Sequence, residues 1–204
     1  RCSGMSALEF LLAGTLAAAL PLLLAALGEM VVEKTGLLNL GLEGMMALGA
    51  AIAFICVYHS GSHSLGFLVA ALAGATLAML FAFLVIVLKA NEVASGLAIG
   101  VLGLGLSALF GKTYESLTIS GLSELGLPVL SKIPVIGPAL FTQDIVVWLA
   151  IMGTTVLWYI LNRTKLGLII AAVGENAEAA RAIDYPVGAI RCAAVAVGGG
   201  MCGL

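Results

Sequence analysis

Charge is what this sequence has least of. Asp, Glu, Lys and Arg make up 10% of its 204 residues, against about 25% in a soluble domain. With 62% hydrophobic residues and a mean hydropathy of +1.18, the chain cannot cover a core with polar side chains. A soluble globular fold is therefore excluded, and the lipid bilayer must be its solvent. Aromatics are scarce at 6%, net charge is −2 and no basic tract occurs, which excludes a nucleic-acid partner. No GxxxxGK[ST] run exists, so the sequence offers no P-loop for nucleotide hydrolysis. HExxH is missing too. The only histidines, His59 and His63, flank the short run "HSGSHS", where Gly61 opposes a helix. They read as solvated loop residues. The four cysteines (Cys2, Cys56, Cys192 and Cys202) form no CxxC pair and read as small hydrophobes. No catalytic residue, metal site or cofactor is expected. No signal-peptide pattern is visible at the start.

What is present in abundance is long apolar runs. A span needs about 20 apolar residues, and runs 8–27, 36–58, 65–88, 93–110 and 145–162 qualify, with a sixth beginning near Val187. The chain starts with Arg1 and stops inside that last run, so it reads as a fragment with five complete spans and a truncated sixth. The expected fold class is all-α, a polytopic transmembrane helix bundle forming one domain over 1–204. Glycine is frequent, with 26 residues. Gly96-xxx-Gly100 and Gly199-xxx-Gly203 follow the spacing that lets helices approach closely in lipid. Pro21 in the first span removes a backbone donor and suggests a kink.

Positive charge chooses the orientation. One set of connections holds Lys34, Lys89, Arg163, Lys165 and Arg181, and the other holds Lys112 and Lys132, with Arg1 at the tip. The first set is therefore expected to face the cytoplasm. Segment 111–144, with Pro128, Pro134 and Pro138 among Leu, Ile and Val, becomes an outer loop. It reads either as an ordered lid or as an amphipathic packing segment.

Two features do not suit a plain membrane anchor. Asn39 and Glu43 lie four residues apart inside the second run, which on one helix would put them on one face. At 1.5 Å per residue, Glu43 would then sit about 10 Å in from Gly36. Polar groups at such depth usually face a bundle interior or a water-filled cavity, so the pair lines a translocation path or clamps two helices. Asn91 and Ser95, at the mouth of the fourth run, invite the same two readings, and Asn91 reads further as a helix cap, the favoured reading, or a gate contact. The second feature is the connection "RTKLGLIIAAVGENAEAARAIDYPV" (163–187). Gly174 breaks the preceding segment, Asn176 is a candidate N-cap, Glu178 suits the first turn, and Tyr185-Pro186 stops the helix. A nine-residue alanine-rich helix is marginal alone in water. It offers little to lipid and suits a groove on a soluble partner.

The runs "GLLNLGLEGMM" (36–46), "KANEVASGLAI" (89–99) and "TKLGLIIAAVGENAEAARAIDYPV" (164–187) together resemble the permease subunits of bacterial ABC importers. The type is that of ribose, simple sugars, nucleosides and branched-chain amino acids, with nucleoside and simple-sugar permeases most similar. The resemblance implies a type II ABC importer-like bundle in the cell membrane, longer than this chain. It also implies cytoplasmic ATP-binding subunits, a second permease subunit and an extracytoplasmic solute-binding protein as partners. It makes 163–186 a cytoplasmic coupling loop, with Gly174, Glu175, Asn176, Glu178, Ala179, Ala180 and Arg181 matching the ATPase-docking helix. Ala177 stands where Pro is frequent in the family and Asp184 where Gly is frequent, which bears on how that helix ends. A branched-chain amino acid permease and a channel or structural bundle are the alternatives. An intramembrane enzyme lacks its residues.

Overall fold

The computed structural model describes residues 7–119 and 145–204, and the regular secondary structure among these is all helical. The helices are α1 (Ala7–Glu33), α2 (Leu42–Ser60), α3 (His63–Ala82), α4 (Glu92–Gly111), α5 (Ile145–Arg163), α6 (Lys165–Glu175), α7 (Ala177–Ala182) and α8 (Val187–Gly203). A π turn, Phe83–Val87, extends α3, and a 3-10 turn, Lys112–Tyr114, follows α4. Four of these helical stretches are long and apolar enough to cross a membrane: Leu42–Ser60, His63–Val87, Glu92–Tyr114 and Val146–Arg163. The 27 residues of α1 also exceed what about 30 Å of hydrocarbon requires. The apolar α8 is shorter, at 17 residues. Most of the outer loop expected over 111–144 lies outside the described residues.

Lipid provides no hydrophobic drive for helices to associate, so contact quality decides. Here glycine sets it. A Cβ on Gly44 would run into the backbone of Gly100, and one on Gly103 into the backbone of Gly44, so α2 and α4 touch main chain to main chain. The same holds for Gly199 and Gly203 against Gly74 and Ala70 of α3. Gly199 and Gly203 thus sit on the α3–α8 seam and Gly100 on the α2–α4 seam, while Gly96 lies against the non-helical Leu40. Ser107 adds an interhelical bond, its hydroxyl donating to the Ala47 carbonyl at 2.8 Å. The core cluster around Phe81, Met45, Val32 and Val195 draws on α1, α2, α3 and α8.

The ends of the bundle differ. At one end Gly61 turns α2 into α3 with φ +67, as its position between the histidines predicts. There His59 is no isolated loop residue: its Nε2 lies 2.9 Å from the Tyr114 hydroxyl, with Tyr58 and Phe54 packed edge-on against the same ring. The other end gathers the α1–α2 connection, the start of α4 and the segment around Gly174.

Three expectations about that second end need correction. The second span begins at Leu42, not Gly36, because residues 36–41 are not helical. Gly174 does not break a helix, since α6 runs through it to Glu175. The helix after Asn176 has six residues, not nine. The chain leaves the α region at Ile183, and Asp184 takes the left-handed φ of +69.

Candidate functional site

The α1–α2 connection is built on Gly36, whose φ of +77 is left-handed and open to glycine at little cost. Beyond Gly36, whose N–H donates to the Glu33 carbonyl at 2.9 Å, the amides of Leu38 and Asn39 lack helical backbone partners. Carboxylates on neighbouring helices supply them. The Asn39 N–H donates to Glu29 Oε1 of α1 at 2.8 Å, and the Leu38 N–H donates to Glu92 Oε2 of α4 at 3.1 Å. Arg191 of α8 donates from Nε to the Thr35 carbonyl at 3.1 Å. Four elements thus meet within a few residues of an otherwise apolar bundle.

Asn39 is 1% exposed, buried within the stretch rather than on a helix face. Its Oδ1 accepts from the Gly41 N–H at 3.0 Å and its Nδ2 approaches Met45 Sδ at 3.6 Å. Glu43 lies in the first turn of α2 and is exposed. The non-helical backbone therefore separates the two residues that helical spacing would have paired. Glu43 borders a cleft of about 450 Å³ with Pro21, Leu22, Met46, Ala47 and Cys202, between α1, α2 and α8. Asn91 caps α4, its Oδ1 accepting from the Ala94 N–H at 3.0 Å, and Ser95 is buried one turn on. Gly96 lies against the Leu40 backbone, a Cβ there standing 2.7 Å from the Leu40 nitrogen.

The coupling-type segment folds as its cap signals predict. Asn176 Oδ1 accepts from the Ala179 N–H at 2.9 Å, and Glu178 occupies the first turn. The helix ends with Tyr185 N–H donating to the Ala180 carbonyl at 3.1 Å and Asp184 N–H to the Arg181 carbonyl at 3.0 Å. That pair of bonds around a left-handed residue is the Schellman arrangement, with aspartate where glycine would be easier. Ala180 faces inward with Val173 and Val187, and Ala177, Tyr185 and Ile190 pack on them. Glu175, Glu178, Ala179, Arg181 and Ile183 remain exposed. Gly174 instead faces the bundle: a Cβ there would strike the Lys34 carbonyl and stand 3.1 Å from the Gly36 nitrogen.

A profile of the branched-chain amino acid transport system / permease component family matches residues 11–204. The chain belongs to this family. Among curated relatives, a Haloferax volcanii protein provisionally named a glucose ABC transporter permease is 41% identical over 98% of the chain. A nucleoside ABC transporter permease of Lactococcus lactis is 32% identical over 96%, and a guanosine ABC transporter permease of Bacillus subtilis is 32% identical over 94%. The chain spans 62%, 65% and 64% of the length of these relatives, respectively. No solved structure matches it. The resemblance carried by the three sequence runs is thus confirmed, as is a multi-pass, all-α membrane protein.

Within this permease-family chain, sequence reading missed Glu29, Thr35, Glu92 and Arg191. The signal was present for two of them. Arg191 is a lone cation entering an apolar run, and Glu29 lies between apolar stretches in "LLAALGEMVV". Ionisable residues so placed are functional candidates by default. The backbone acceptor at Thr35 left no trace in the sequence.

Proposed function

We propose that this chain is the membrane permease subunit of an ATP-binding-cassette importer. In this reading its helices line the path of a small polar solute and it hydrolyses no ATP itself. Cytoplasmic ATP-binding subunits supply the energy, a second permease subunit completes the path, and an extracytoplasmic binding protein delivers the solute. The observation that carries the reading is the Asn176-capped helix α7, which packs its Ala180 side on the bundle and leaves Glu178, Ala179 and Arg181 outward. Glu175, Glu178 and Arg181 give that face charge of both signs, as a docking surface for a soluble ATPase requires. A channel has no use for such a helix.

Sugars and nucleosides are the preferred solutes, since the relatives named above carry those substrates in their names. A branched-chain amino acid would call for a cation to meet its carboxylate at mid-span. Among the described residues Arg191 is the cation nearest the interior of the bundle, and it is committed to the Thr35 carbonyl. Asn39 acts here as an internal clamp, whereas Glu43 faces the cleft and is the residue assigned to the path. Asn91 serves as a cap. Residues 163–186 then face the cytoplasm. Replacing Glu178 and Arg181 together should abolish ATP-driven uptake while the permease remains in the membrane at its normal level. Normal uptake by that variant contradicts the docking role, and labelling of single cysteines at 163–186 from outside the cell contradicts the orientation.

A further inference from the structure

Residues 35–41 stand out once the helices are accounted for. The stretch is non-helical with alternate residues buried, and its Thr35 carbonyl and the Leu38 and Asn39 amides are held by side chains from three helices. The amides of Leu38 and Asn39 are neighbours in sequence, and their acceptors belong to different helices: Glu92 on α4 and Glu29 on α1. Hydrogen bonds of this kind keep donor and acceptor within about 3.2 Å. At 3.1 and 2.8 Å, the pair tolerates little relative displacement of α1 and α4 unless the stretch moves with them.

The same stretch is where the coupling segment makes contact, and it does so by two routes. One is Gly174 near the end of α6, whose backbone lies against Lys34 and Gly36; a Cβ on Gly36 would stand 3.0 Å from the Gly174 carbonyl oxygen. The other is Arg191 in α8, the helix directly after α7, which holds the Thr35 carbonyl. Helices α6 and α8 flank α7 in sequence, so any displacement of α7 reaches residues 34–36 from both sides. From there the chain passes within a few residues to the two carboxylate-held amides.

We infer that the stretch 35–41 is the transmission element between the coupling segment and the bundle, with Glu29 and Glu92 as its positioning residues on α1 and α4. This rests on the importer reading above. A plain structural clamp would set how well the protein folds. A transmission element also sets how much solute moves per ATP.

The test uses the full-length permease assembled with its ATP-binding subunits and binding protein in proteoliposomes, with labelled glucose and guanosine as probes. E29A removes the acceptor of the Asn39 amide, while E29Q keeps an oxygen there. E29A is expected to lower solute uptake per ATP hydrolysed several-fold, because the Asn39 N–H loses its acceptor on α1. ATP hydrolysis and subunit co-purification should remain unchanged, and E29Q should recover most of the lost ratio. An unchanged ratio in E29A, or E29Q as defective as E29A, overturns the inference. If E29A fails to assemble, E92A decides, since it frees the exposed Leu38 amide instead; it must show the same loss, and a normal ratio overturns the inference. A wild-type complex that takes up neither probe with ATP overturns the importer reading itself, whereas a coupled wild type with coupled E29A and E92A overturns only this inference.

Discussion

The Asn39 backbone N–H donates to Glu29 Oε1 at 2.8 Å, ten residues back along the chain. That one bond explains why two polar residues persist in runs otherwise fit for lipid. Asn39 is buried where its non-helical backbone needs partners, and the half-buried Glu29 supplies one of them. The polar groups stabilise an irregular backbone at the end of the bundle. They are not spaced along a helix to face a channel.

Asn39→Ala should therefore destabilise the protein, because it strips the Gly41 N–H of its acceptor. A buried donor left unpaired costs about 1–3 kcal/mol. Asn39→Asp, which retains the acceptor oxygen, should cost less. Glu43→Gln, at an exposed position, should leave stability unchanged. Thermal unfolding of the purified protein in detergent checks all three; equal losses at both positions would contradict the assignment of Asn39 as the clamp.

The seam between α2 and α4 offers a second prediction. Gly44→Ala and Gly103→Ala force a methyl into facing backbone and should each cost about 1–3 kcal/mol, the usual effect of overpacking. Gly105→Ala, which meets open space on the same helix, is the matched control and should be neutral or slightly stabilising. The ordering of their melting temperatures tests the seam directly.

The end of α7 gives a third. Asp184 holds φ +69, a conformation that disfavours residues with a Cβ by about 1–2 kcal/mol and that aspartate tolerates better than most. Asp184→Gly should strengthen the Schellman end and slow amide exchange at Tyr185. Asp184→Val should do the reverse. Identical exchange in the two variants would show that the left-handed residue does not limit the helix.

Loss of the N-cap is a fourth. Asn176→Ala removes the acceptor of the Ala179 N–H and should destabilise α7 by about 1 kcal/mol, whereas Asn176→Ser should cost little. Amide exchange at Ala179 and Ala180 reads the difference. Unaltered exchange in Asn176→Ala would mean that packing on Val173 and Val187 alone holds the helix.

These predictions also mark what was legible in the sequence. Apolar runs of sufficient length gave each long helix, because lipid demands uninterrupted backbone pairing. The caps at Asn91 and Asn176 were readable, since each rests on a local rule with a side chain three residues from its donor. Gly96 and Gly100 were readable as packing residues through their spacing. The stretch 36–41 was not, because its apolar composition is that of a span and only tertiary partners 10 and 54 residues distant keep it from being helical. Gly174 was misread for a similar reason. Its role is close approach to Lys34 and Gly36, and a glycine chosen for a neighbour 138 residues away in sequence looks like any helix breaker.

The most direct test of the account is retention of the ATP-binding subunits by the full-length permease. Affinity-tagged permease carrying the native 175–183 segment would be compared with one in which that segment is replaced by a Gly/Ser run. The account predicts that the ATP-binding subunits co-purify with the native permease and are lost from the replaced one, while both permeases reach the membrane at equal levels. Equal retention by both forms would contradict the docking role of α7, and retention by neither would contradict the importer reading.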